Sequence, residues 1–159
     1  MVVDTVNVPV IATGGIGDAR GFLAAFALGA LRVQIDTRFM ATTESDLNAW
    51  GQDQLLTIKE TDTIVSKAMT GSTVRCVTTP ELTAYEEARL SGASKEELAE
   101  LRKAVVRGRN IDKGNKRQSA MGQVGGMVND VRPVREFIDG MISEAAHLAG
   151  TVQGIALGD

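Results

Sequence analysis

The chain has 159 residues, 43% of them hydrophobic and 23% charged, with a formal net charge of -3. That length is enough to bury one ordinary core, and the mild acidity gives no reason to expect nucleic acid or an anionic membrane surface as a partner. The single cysteine, Cys76, excludes an intrachain disulfide, and no apolar run reaches the roughly 18 residues of a membrane span; with no secretory leader pattern in view, the expected setting is the cytoplasm.

In chain order, Val6 to Ala12 reads as a buried, β-branched strand that runs through Thr13 into the Gly14-Gly15 turn. Asp18 is the expected N-cap of a helix from Ala19 to Leu28. Phe22, Ala25, Phe26 and Leu28 supply its sheet-facing stripe, and Gly29 ends it. A second strand, Leu31 to Ile35, completes a β-α-β unit with a right-handed crossover and runs into Asp36-Thr37-Arg38-Phe39. Strand, glycine turn and helix start in succession make a backbone anion site, because glycines admit close approach and helix-start N–H groups point at the ligand. The two strand ends, Gly14-Gly15 and Asp36-Thr37, are therefore read as a phosphate cradle. Taken alone, a Gly-Gly turn is also what plain chain geometry produces. A parallel pair by itself leaves open sheet edges, which points either to a small unusual fold or to the back part of a larger one.

A weak helical stretch from about Leu47 to Lys59 holds Trp50, expected to serve in packing. Asp62 to Met69 and Thr73 to Val77 are β-rich runs around Gly71 and suggest a hairpin, with Pro80 closing this part. From Glu81 to about Gly108 the pattern is helical with a break at Ser91-Gly92, and Ser94-Lys95-Glu96-Glu97 has the form of a capping box. Its charges read as a solvated face. Asp112 to Arg117 reads as an exposed polar loop whose basic residues could touch a phosphate. Ser119 to Val128 is a second glycine-rich element, and Pro133 to Ala149 is a final amphipathic helix with Val134, Phe137, Ile138, Met141, Ile142, Ala145 and Leu148 on one face. Cys76, with no histidine or basic helix end identifiable beside it, reads as a small buried residue rather than a nucleophile.

The succession Pro9-Val10-Ile11-Ala12-Thr13-Gly14-Gly15-Ile16, Ala27-Leu28-Gly29-Ala30, Val33-Gln34-Ile35-Asp36-Thr37-Arg38-Phe39 and Glu44-Ser45 resembles the nitronate monooxygenase family. Those enzymes were once called 2-nitropropane dioxygenases, and the family also contains the FMN-dependent enoyl-acyl-carrier-protein reductases. Asp62-Thr63-Ile64-Val65, the Gly71 to Arg75 turn and Met121-Gly122-Gln123-Val124-Gly125-Gly126-Met127-Val128 keep the same order. Leu101 to Gly108 followed by Asp112-Lys113-Gly114 is similar to the enoyl reductase branch.

The resemblance implies an α/β fold: the C-terminal portion of a (β/α)8 TIM-type barrel, namely strands 7 and 8 and the last helix, with a small mainly helical subdomain. Residues 1–60 would form barrel units 7 and 8, residues 61–118 the helical and hairpin subdomain, and residues 119–159 a flavin-proximal glycine loop and closing helix. A phosphate site at the last two strands is where such barrels commonly place one. The implied cofactor is FMN, bound through Gly14, Gly15, Asp36 and Thr37, with Gln123 near the flavin and NAD(P)H as co-substrate. The implied activity is that of an FMN-dependent oxidoreductase fragment, reducing an enoyl thioester or oxidising a nitronate. The alternative is an inactive half-barrel that self-associates as a homo-oligomer or needs a partner supplying the N-terminal half.

Two departures from the family pattern bear on these expectations. Asp36 stands where the family has glycine, and a carboxylate opposes a phosphate charge by about 1 kcal/mol at about 4 Å in water. Asp36 could turn away or pair with Arg38 or Arg20. The family's catalytic histidine lies in an earlier glycine-rich segment that this sequence does not contain, and His147, the one histidine here, reads as a surface or packing residue. No catalytic residue and no metal ligand is therefore assigned.

Overall fold

A computed structural model describes residues 2–47, 49–110 and 120–158. Its mixed α and β elements fall into two units, Met1–Ser45 with Asp130–Asp159, and Asp46–Asn129.

The first unit is built on a β-α-β core. After one helical turn, α1 (Val2–Thr5), strand β1 (Ile11–Thr13) pairs in parallel with β2 (Arg32–Gln34), and α2 (Ala19–Ala27) connects them. β1 is shorter than the Val6 to Ala12 run suggests. Pro9 has no N–H to give a ladder, and strand character holds only where β2 lies alongside, with Ile11 opposite Arg32 and Thr13 opposite Gln34. The expectation of two buried faces is also corrected. Ala12, Val33 and Ile35 pack toward α2 on Ile16, Ala25 and Ala30, whereas Ile11 is 56% exposed on the other face.

Local chemistry sets both ends of α2. Asp18 caps its start, and the chain leaves it through a Schellman motif: Ala30 N–H donates to Ala25 O at 3.0 Å and Gly29 N–H to Phe26 O at 2.8 Å, with Gly29 at φ 90. The opposite face of α2 packs on α6 (Val134–Leu157) through Ala19, Phe137, Met141 and Ala145. The expected apolar face of α6 is borne out at Phe137, Met141 and Ala145, while Ile142 is half exposed. The helix also runs past Ala149 to Leu157, although Gly150 and Gly154 are poor helix formers, and Gly158 ends it in a left-handed C-cap.

In the second unit, α3 (Ala49–Thr57) precedes an antiparallel hairpin of β3 (Thr63–Ser66) and β4 (Val74–Val77). Thr79 caps α4 (Pro80–Leu90) by accepting from Leu82 N–H, with Pro80 in the first turn. Pro80 thus opens a helix as well as closing the hairpin. The capping box of α5 (Lys95–Asn110) forms as the sequence suggests: Ser94 N–H donates to Glu97 Oε2 at 2.8 Å, and Glu97 N–H to Ser94 Oγ at 3.2 Å. Ala68, Met69, Cys76, Leu82, Tyr85 and Val105 form the core. The polar loop Asp112 to Arg117 and the side chain of Trp50 lie outside what the structure describes.

Candidate functional site

The parallel register decides what meets at the end of the sheet. Because Thr13 sits opposite Gln34, Gly14-Gly15 and Asp36-Thr37 leave their strands side by side. Gly14 and Gly15 take φ 87 and 72, and a Cβ built on either would meet nothing within 4 Å. Packing does not explain these glycines; the left-handed backbone does, and it keeps the space before them open. The N–H groups of Gly14, Gly15 and Ile16 donate to no acceptor among the described residues.

The start of α2 contributes less than the sequence suggests. Asp18 Oδ1 accepts from Arg20 N–H at 3.0 Å and Gly21 N–H at 3.1 Å, so the protein's own carboxylate already occupies that turn. Partial burial pushes the Asp18 carboxyl up, but the Arg20 side chain and the Gly21 N–H outweigh it and hold it below the ordinary range. The N–H groups left without an internal partner are therefore those of the glycine turn.

Thr37 is buried at the head of a 3-10 turn (Thr37–Ala41), and Asp36 just before it is exposed. Neither arginine considered as a partner for Asp36 is used that way. Arg20 is bound to Asp18, and Arg38 turns inward. Its Nη2 meets Asp130 Oδ1 at 2.6 Å, its Nη1 donates to Ala41 O at 3.1 Å, and its guanidinium lies 4.7 Å from the Phe137 ring centre. The other Asp130 oxygen takes Arg132. Burial, then the like charge of Arg132, pushes Arg38 below the usual arginine range. Asp36 instead accepts from the Gln34 amide at 3.4 Å. Sequence reasoning missed the Arg38–Asp130 node, since its members are 92 positions apart and nothing local marks Asp130.

Glu44 is a second long-range contact. Its two carboxylate oxygens accept from Val134 N–H at 3.1 and 3.0 Å, closing the start of α6. That hydrogen bond, first, holds the Glu44 carboxyl below its ordinary value of 4.5, against a small desolvation in the other direction. The ionised form is the one favoured by folding, so its contribution is present above the unfolded value and is lost as pH falls through the lowered folded value. Glu44→Gln is therefore expected to lower the melting temperature at neutral pH, with the gap to wild type closing as pH drops below about 4.5. A gap that stays constant across paired melts in that range would contradict this role.

Gln123 belongs to the second unit, where it opens a 3-10 turn (Gln123–Met127), and its amide donates to Glu60 O at 3.4 Å. The glycines after it have a packing role. A Cβ on Gly126 would lie 2.4 Å from Glu60 N, and one on Gly125 would lie 2.5 Å from Ile58 Cδ1. His147 is exposed on α6. Cys76 is fully buried and burial pushes its thiol up, followed by the nearby Glu86, which fits a packing residue. Among the described residues no His, Cys, Asp or Glu cluster could hold a metal ion, and no helix is long and apolar enough to cross a membrane.

Residues 1–144 match the nitronate monooxygenase family, and the chain belongs to it. A probable nitronate monooxygenase of Staphylococcus aureus is 42% identical over 88 residues, which is 54% of this chain and 25% of that protein. FabK from Thermotoga maritima superposes with a TM-score of 0.78 at 33% identity, covering 97% of this chain and 49% of that one. The nitroalkane oxidase of Streptomyces ansochromogenes gives a TM-score of 0.68 at 24% identity over 94% of this chain and 42% of that one, a likeness of fold. The chain thus spans a quarter of the Staphylococcus relative and about half of FabK.

Proposed function

We propose that this chain carries the phosphate-binding side of the flavin site of an FMN-dependent oxidoreductase, corresponding to strands 7 and 8 and the last helix of a (β/α)8 barrel. The observation that carries this is the left-handed Gly14-Gly15 pair in open space, with unpartnered N–H groups, at the strand end beside Asp36-Thr37. A phosphate needs such a surface: several neutral donors, no Cβ in the way, and backbone already held in place. Family membership supports the oxidoreductase reading over a catalytically inactive half-barrel.

In this reading, Gly14 and Gly15 donate backbone N–H groups to phosphate oxygens. Thr37, fixed by the 3-10 turn that Arg38 anchors through Asp130, borders the phosphate from β2. Gln123 is assigned to the flavin's surroundings by family resemblance, its amide held to Glu60 O by one long hydrogen bond. When bound, FMN would supply the redox chemistry, taking electrons from NAD(P)H or a nitronate and passing them to an enoyl thioester or to oxygen. No residue described here is assigned to proton transfer.

Fluorescence-quench titration with FMN and riboflavin tests the reading. Wild type is expected to prefer FMN. Gly14→Ala and Gly15→Ala each place a Cβ in a left-handed conformation costing about 1–2 kcal/mol and project it toward the ligand, so each is expected to weaken FMN binding at least about tenfold. Riboflavin affinity should not change. No preference for FMN over riboflavin in wild type would overturn the proposal.

A further inference from the structure

We infer that Asp36 acts as a charge filter at the cradle, favouring a phosphate group with one negative charge over the same group with two. The inference rests on the phosphate reading above. Asp36 leaves β2 where Gly14-Gly15 leaves β1, and its exposed carboxylate accepts from the Gln34 amide, a neutral donor that leaves its charge uncompensated.

Among the described residues, the neighbouring charges do not offset it. Arg20 on α2 is held by Asp18 and also feels Glu144 of α6. Arg38 is turned inward onto Asp130, which takes Arg132 as well. Arg32 lies four positions back along extended chain, about 13 Å away and beyond the screening length of about 8 Å at physiological salt. Glu44 faces the start of α6. Among the described residues, the glycine turn thus offers neutral N–H donors, and the strand end beside it carries the Asp36 carboxylate.

Each ligand charge about 4 Å from a carboxylate in water weakens binding by a factor of about five. A phosphate monoester loses its second proton near about pH 6, so FMN presents both charge states on either side of that value. Removing the Asp36 charge must then help the dianion more than the monoanion.

The test is titration of the whole chain with FMN and riboflavin, comparing wild type with Asp36→Asn and, as a second neutral variant, Asp36→Ser. The substitutions are expected to tighten FMN binding about 25-fold at about pH 7.5 and about fivefold at about pH 5.5, leaving riboflavin unchanged. An equal effect at both pH values, or no effect, overturns the charge filter and leaves the cradle standing. If neither wild type nor the variants prefer FMN to riboflavin, the cradle reading fails and the filter fails with it.

Discussion

Asp130→Ala is expected to be the most destabilising single substitution in the first unit, at about 3–5 kcal/mol, because it strands a buried guanidinium. The Arg38 side chain is 6% exposed, against 33% for Asp130, so the cation cannot recover its hydration when its partner is removed. Its remaining contacts are carbonyl oxygens and the Phe137 ring, neither of which carries a compensating charge. Arg38→Met should cost less, since it removes the buried charge instead of leaving it unpaired, and the stem still packs on Phe137. The double variant Arg38→Met/Asp130→Ala should then be more stable than Asp130→Ala alone. Denaturant unfolding of the three proteins measures this directly. If Arg38→Met proves as damaging as Asp130→Ala, packing rather than charge is what the node provides. The effect should also reach the site, because Arg38 follows Thr37 in the same short turn.

Gly126→Ala is expected to have the largest effect in the second unit. Its Cβ would lie 2.4 Å from Glu60 N and 3.0 Å from Lys59 C, both backbone atoms that cannot rotate aside. Overpacking of this kind costs about 1–3 kcal/mol and more where the obstacle is rigid, which in a domain of this size lowers the melting temperature by roughly 10 °C or more. Gly125→Ala is the informative control. Its closest obstacle at 2.5 Å is Ile58 Cδ1, the end of a flexible side chain that can change rotamer. A smaller loss is expected there, and thermal melts showing the reverse order would contradict this packing of the turn on residues 58–60. The pair also separates packing from ligand contact in a glycine-rich run that the sequence alone would assign to ligand.

Much of the strand, glycine turn and helix start was legible because their signals are local. A β-branched run, two adjacent glycines, an aspartate and an alanine-rich helix follow one another, and each acts on backbone within a few residues. The capping box at Ser94 and Glu97 was legible for the same reason: both hydrogen bonds close within three residues. Strand length was not, because a strand persists only where a partner lies beside it, and the three-residue register with β2 is a tertiary fact. The partners of Asp36, Arg20 and Arg38 were equally hidden. Two arginines of the same β-α-β segment look available to the carboxylate, yet one is held by a cap and the other by a residue 92 positions away.

By itself, then, the sequence determined the order and type of the main elements, the hairpin, the caps, the double-glycine turn and the family. These depend on backbone chemistry, short-range hydrogen bonding and the order of motifs along the chain. Only the tertiary structure decided which charges neutralise one another, which face of the small sheet is covered, and that Gly125 and Gly126 answer to packing. Those outcomes depend on distances between residues far apart in the chain, and a carboxylate or guanidinium carries no local mark of the partner it will find. The Gly14-Gly15 turn joins both kinds of information: its place was readable from two adjacent glycines, and its left-handed conformation and open space with unpartnered donors came from the fold around it.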